Sequence, residues 1–226
     1  PRTIPGHNLS YVALGGFILW FGWFGFNGGS TLAASVDIAK VNLNTQLAAA
    51  AGAVGSVIYR MVSRRPILLT ETVNGSLAGL VAVTAGCAVM TPGFAVLTGL
   101  VAGALAAFGA RMLLALRLDD VVGAVPVHAF AGAWGTLAAG LFYDGDLFNP
   151  ERITVQLLGI VVAFGWAFFT ALVMYMLVSL LTGLRAPALH EQRGLDLSEH
   201  AESGYPEFPQ NTLYNSELTR SAESRP

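Results

Sequence analysis

The chain has 226 residues, of which 54% are hydrophobic and only 12% charged, with a mean hydropathy of +0.60; a soluble domain carries about 25% charge. That balance excludes a water-soluble globule; the net charge of −2 says nothing about partners, and the sequence carries no nucleic-acid footprint. The single cysteine, Cys87, excludes an internal disulfide framework and a cysteine-based metal site, and reads as a small buried hydrophobe.

Six solid apolar runs follow in chain order, at residues 9–28, 43–62, 68–90, 94–116, 121–142 and 153–184. Each is near or above the about 20 residues that a helix needs to cross a bilayer. None alternates with period two, as the strands of a membrane barrel do. The expected fold is therefore all-α: a polytopic transmembrane bundle occupying residues 1–184, with a polar tail at 185–226. Arg2, Arg60, Arg64, Arg65, Arg111, Arg117, Arg185 and Arg193 fall on one side of the spans, whereas the alternate loops hold only Lys40 and Arg152. Cytoplasmic loops concentrate basic residues, so both termini are expected to be cytoplasmic. The loop around Asp144, Asp146 and Glu151 is then external. Pro1 is not a start methionine and no cleavable signal is visible, as expected of a chain that begins partway through a longer protein.

The first run ends in an unusual stretch, where Trp20, Phe21, Trp23, Phe24 and Phe26 interleave with glycines before Asn27 and Ser30. An aromatic belt with close packing is one explanation. Rings that face something other than lipid are the other. Gly75 with Gly79, and Gly99 with Gly103, form small-xxx-small faces that let helix backbones approach; Gly52, Gly55, Gly132 and Gly135 add to them. Glu71, at the inner end of the third span, is expected to meet the cytoplasmic tail.

His128 is the one titratable group deep in the fifth span. Polar groups in hydrocarbon are costly and mark function. A neutral imidazole can donate from one nitrogen and accept at the other, which suits a small polar species crossing a dry path. A hydrogen bond to a neighbouring helix carbonyl is the plainer alternative. Asp119 and Asp120 precede that helix, either as a cap or as a negative funnel for cations. The tail turns rich in Glu, Ser and Pro, and residues 211–226 are expected to be disordered.

Four blocks, in order, closely resemble the ammonium transporter family (the Amt/Mep/Rh group). They are Leu19-Trp-Phe-Gly-Trp-Phe-Gly-Phe-Asn-Gly-Gly-Ser30, Asn74 through Cys87, Asp119-Asp120 through His128 to Thr136, and Gly194-Leu-Asp-Leu-Ser-Glu-His200 followed by Tyr205. The resemblance implies helices six to eleven of an eleven-helix subunit, in a homotrimer of the cell membrane (a bacterial inner membrane is expected). It implies transport of ammonium through a hydrophobic pore in each subunit, and neither enzymatic activity nor a cofactor or metal. By alignment, Phe26 matches the pore gate and His128 the second of two pore histidines. Ser30 and Trp23 match the site that recruits the cation before it is separated into ammonia and a proton. Gly194, Asp196, His200 and Tyr205 match a regulatory segment, and a PII-type protein is an implied partner.

Two departures accompany the resemblance. The first pore histidine, the other gating phenylalanine and the outer tryptophan have no equivalent here, and the family's His-Gly-Glu stands as His200-Ala201-Glu202. A transporter-derived ammonium sensor, signalling through its cytoplasmic region, is the alternative. A membrane enzyme is set aside, because no nucleophile elbow, metal-binding His/Glu pair or paired intramembrane carboxylates are visible.

Overall fold

A computed structural model describes residues 6–205; Arg2 and the stretch 211–226 lie outside the described residues. Among the described residues every regular element is helical. The order is α1 (Leu9–Gly29), α2 (Asp37–Val62), α3 (Leu69–Thr84), α4 (Pro92–Ala115), a π-helical turn (Val125–Phe130) running into α5 (Ala131–Leu141), α6 (Pro150–Leu181), α7 (Ala188–Arg193) and α8 (Leu195–His200). The chain divides into two compact units, Pro1–Phe164 and Gly165–Pro226, with α6 contributing its first half to one and its second to the other.

The six apolar runs correspond to α1, α2, α3, α4, the π-turn with α5, and α6. Of these, α1, α4 and α6 are long and apolar enough to cross a membrane on their own. The others depart for physical reasons. α2 is rich in Ala, Gly and Asn because much of it is buried against other helices, so it needs less hydropathy. The third run stops being helical at Thr84, six residues before its apolar end. The fifth is wound as a wide turn before it becomes α-helical.

From α1 to α5, neighbours along the chain run antiparallel and alternate helices run parallel. Trp20 bonds Gln46 and Asn27 bonds Thr45, so α1 and α2 oppose one another. Gly16 abuts Val73 while Trp23 reaches Thr84, so α1 and α3 run together. The pairs Ala82 with Gly135 and Gly86 with Ala139 align α3 with α5. This is the threading of a chain that crosses a membrane repeatedly.

The centre of the first unit is a seam of backbone on backbone. A Cβ on Gly79 or Gly99 would strike the Ala48 carbonyl, one on Gly103 the Gly52 carbonyl, and one on Gly52 the Gly75 carbonyl. With no hydrophobic force to drive helices together in lipid, van der Waals contact between small residues does the work. Side-chain hydroxyls reinforce the seam: Ser76 Oγ donates to Ala49 O at 2.9 Å and Ser56 Oγ to Glu71 O at 3.0 Å.

The early end of α3 leaves carbonyls without helical partners at membrane depth, where each must be satisfied by protein. Asn44, fully buried on α2, donates both amide hydrogens, to Cys87 O at 2.8 Å and Met90 O at 2.9 Å. Asp144 N–H donates to Val89 O at 2.7 Å. Non-helical backbone persists here because it is enclosed by protein.

Candidate functional site

One face of α1, one edge of α3 and the π-turn enclose an open apolar groove of about 480 Å³. Ile18, Leu19, Gly22, Trp23 and Phe26 lie along α1 on this face, spanning roughly 12 Å at the helical rise. Val81 and Thr84 come from α3, and His128 from the π-turn. Pairing along the helices sets His128 near the level of Ile18 and Leu19, with Phe26 at the far end and Trp23 and Thr84 between.

Each polar or aromatic member is held by a specific device. Trp23 Nε1–H donates to Thr84 Oγ1 at 2.9 Å, and the Thr84 hydroxyl donates to Leu80 O at 2.7 Å. Phe26 meets Trp23 edge to face, ring centroids 5.7 Å apart at 68°. Asp120 accepts the backbone N–H groups of Gly123 (3.1 Å), Ala124 (2.8 Å) and Val125 (2.9 Å), capping the turn that carries His128. Asn74 Nδ2 donates to Val122 O at 3.0 Å, and a Cβ on Gly123, whose φ is +79°, would strike that amide. On the other side Phe130 and Pro126 fill the space left by Gly109, and Trp134 Nε1–H donates to Thr98 O at 3.0 Å. Pro126 lacks an N–H and so suits an irregular opening turn. Wide π-turns of this kind recur at functional positions.

The structure brings Trp23, Phe26 and His128 onto one groove; Ser30 is not among its lining residues. The Ser30 hydroxyl donates to Phe26 O at 2.6 Å. Asp119 is exposed beside the capping Asp120. Glu71 Oε1 pairs with Arg60 Nη1 at 3.0 Å, so its partner lies on α2 of the same unit.

In the second unit, Gly194 (φ +97°) opens α8, and Asp196 in its first turn accepts Gly204 N–H at 2.9 Å from the segment that follows the helix. The Gly204 and Leu197 amides beside Asp196 hold its carboxyl below the usual carboxylate range. His200 is the last residue of α8 and Tyr205 is exposed. Ala201 adopts the left-handed conformation, φ +57° and ψ +24°, that glycine reaches with less strain. Sequence reasoning missed Thr84, Asn74 and Asn44. Thr84 and Asn74 lie within one of the matched blocks, and Asn44 had a signal of its own, an amide inside an apolar span.

A model of the Ammonium Transporter Family matches residues 1–205. The ammonium transporter Amt2 of Archaeoglobus fulgidus is 43% identical over 224 residues, taking in 92% of this chain and 48% of that protein. A solved structure described as a sensor Amt protein is 38% identical with a TM-score of 0.81, covering 85% of this chain and 49% of its own. Mep2 of Saccharomyces cerevisiae is 27% identical with a TM-score of 0.72, over 78% and 44%. The chain spans about half the length of the curated relatives it matches. With its helical architecture and its match over nearly the whole sequence, this multi-pass membrane chain belongs to the ammonium transporter family.

Proposed function

We propose that this chain forms one wall of a path that conducts ammonium across a membrane, and that the α1–α3 groove is where the substrate meets that wall. The observation that carries the reading is a single apolar groove joining the Trp23–Phe26 aromatic pair to His128. A bare cation in such a groove would lose its hydration at a cost of at least several kcal/mol. Aromatic faces at the entrance attract it by about 0.5–2 kcal/mol. Beyond them the substrate travels as neutral ammonia, having passed its proton to water at the exposed entrance beside Phe26, which gates the entry. Ammonia both donates and accepts hydrogen bonds, and a neutral His128 imidazole matches it with one donor and one acceptor. The Ser30 hydroxyl, having donated to Phe26 O, keeps its lone pairs for an incoming N–H donor. Asp119 contributes negative potential at the end nearer His128.

The groove is open along one side, so the path needs a second wall from residues beyond this chain. The basic loops support cytoplasmic termini. Family membership supports a homotrimer in a bacterial inner membrane, residues 1–184 as the bundle, and a regulatory tail built on Gly194, Asp196, His200 and Tyr205 that a PII-type protein could engage.

Ammonium-evoked current through the intact, reconstituted protein tests the reading. His128→Ala should abolish or alter the current while the protein still assembles, and Phe26→Ala should change its rate or selectivity. Wild-type current and selectivity in the His128 variant would overturn it. The likeness to a sensor Amt protein favours a second reading, in which the chain detects ammonium and signals. Ammonium binding without current, coupled to a change in an attached activity, would put that reading first.

A further inference from the structure

Three of the four tryptophans are pegged to a neighbouring helix through the indole N–H: Trp20 to Gln46, Trp23 to Thr84 and Trp134 to the Thr98 carbonyl. Of these, Trp23 alone lies on the groove wall. We propose that Thr84 is a positioning residue of the conduction path, holding the Trp23 ring where its face and its edge-to-face partner Phe26 meet the substrate. This rests on the conduction reading above.

The direction of the bonds is fixed by chemistry. An indole can only donate, so Thr84 Oγ1 accepts; the hydroxyl hydrogen is directed at Leu80 O. Every polar hydrogen of the Trp23–Thr84 pair therefore has a partner within the wall. Because Thr84 is the last residue of α3, its position is set by the buried seam and by Asn44 rather than by the groove. Without the hydroxyl, the indole N–H would sit unpaired in an apolar groove, an unfavourable state. The ring would turn toward the acceptors that remain, His128 or the substrate. Either turn moves the aromatic face off the path.

The test is ammonium-evoked current, at sub-saturating ammonium, through the intact protein carrying Thr84→Val, Thr84→Ser, Trp23→Phe, or Thr84→Val with Trp23→Phe. Valine keeps the shape and removes the acceptor. We expect Thr84→Val to lower the current roughly fivefold, the factor one ordinary hydrogen bond is worth. Thr84→Ser should restore it, and Thr84→Val should have no further effect once Trp23 is Phe, since a shared interaction is lost only once. A Thr84→Val current within twofold of wild type, or the same loss in both backgrounds, would overturn the proposal and leave Thr84 as packing. If Thr84→Val does not assemble, Thr84→Cys, a much weaker acceptor, is read by the same two outcomes. His128→Ala run alongside separates the two claims. Conduction that depends on His128 but not on the Thr84–Trp23 pair sinks only the tether; a wild-type protein without current sinks both.

Discussion

The two faces of α3 follow opposite rules. Toward α2 it presents Gly75 and Gly79, pressed so closely that a single methyl would meet a carbonyl. Toward α1 it presents Val81 and Thr84 to a groove of about 480 Å³. The seam has no room and the groove has room to spare, yet they are about a turn apart on one helix. Rigidity on one side is what makes an open wall on the other tenable, since an apolar groove between loosely packed helices would collapse. Substitutions should therefore separate cleanly, with groove changes altering conduction and seam changes altering stability.

The largest expected effect is on the groove side, where His128→Ala should remove most ammonium-evoked current while the melting temperature in detergent stays close to wild type. A parallel loss of stability would break the separation. On the seam, Gly79→Leu drives a side chain into the Ala48 carbonyl. Overpacking of this kind costs about 3 kcal/mol or more where backbone cannot move. Unfolding in denaturant, rather than current, is the measurement that should register it.

Asn44 joins the two regions. Its amide satisfies the carbonyls freed where α3 ends, and that ending sets Thr84 at the groove. Asn44→Leu leaves Cys87 O and Met90 O unpaired, about 2–6 kcal/mol at 1–3 for each buried group. Unlike Gly79→Leu, it should lower both stability and current. Stability loss with an unaltered current per folded protein would show that the groove does not depend on this end of α3. A smaller effect is expected in the tail, where Ala201 holds a left-handed conformation. Ala201→Gly should stabilise α8 by about 1 kcal/mol, read as slower amide exchange at Gly204.

How far this arrangement is legible in the sequence depends on how local its causes are. The runs at 9–28 and 94–116 end within about two residues of α1 and α4, because apolar length is a local property. Gly75, Gly79, Gly99 and Gly103 mark the seam by spacing alone. The end of α3 at Thr84 is not legible, since the apolar run continues to Met90 and the donor that stabilises the break sits on another helix. The Trp23–Thr84 bond joins residues 61 positions apart and carries no local signature. For the candidate site, the motif order brought out Trp23, Phe26 and His128, which share the groove. Ser30, from the same block, lies outside its lining.

The finest test of the comparison lies within one glycine pair. Gly132 and Gly135 both looked like packing glycines, but they meet different surroundings. A Cβ on Gly135 would strike the Ala82 carbonyl, whereas one on Gly132 would rest 3.6 Å from Val81 Cγ1, an ordinary contact. Gly135→Ala should therefore destabilise by about 1–3 kcal/mol. Gly132→Ala should do the reverse: alanine is favoured over glycine inside a helix by about 1 kcal/mol, and nothing rigid opposes the added methyl. Val81 lines the groove, so current through Gly132→Ala reports whether that wall yields to a light push from behind. An unchanged current with a slightly raised melting temperature would mean that the wall is held by its own tethers. A lowered current would mean that Gly132 is small for the sake of the groove and not of the seam.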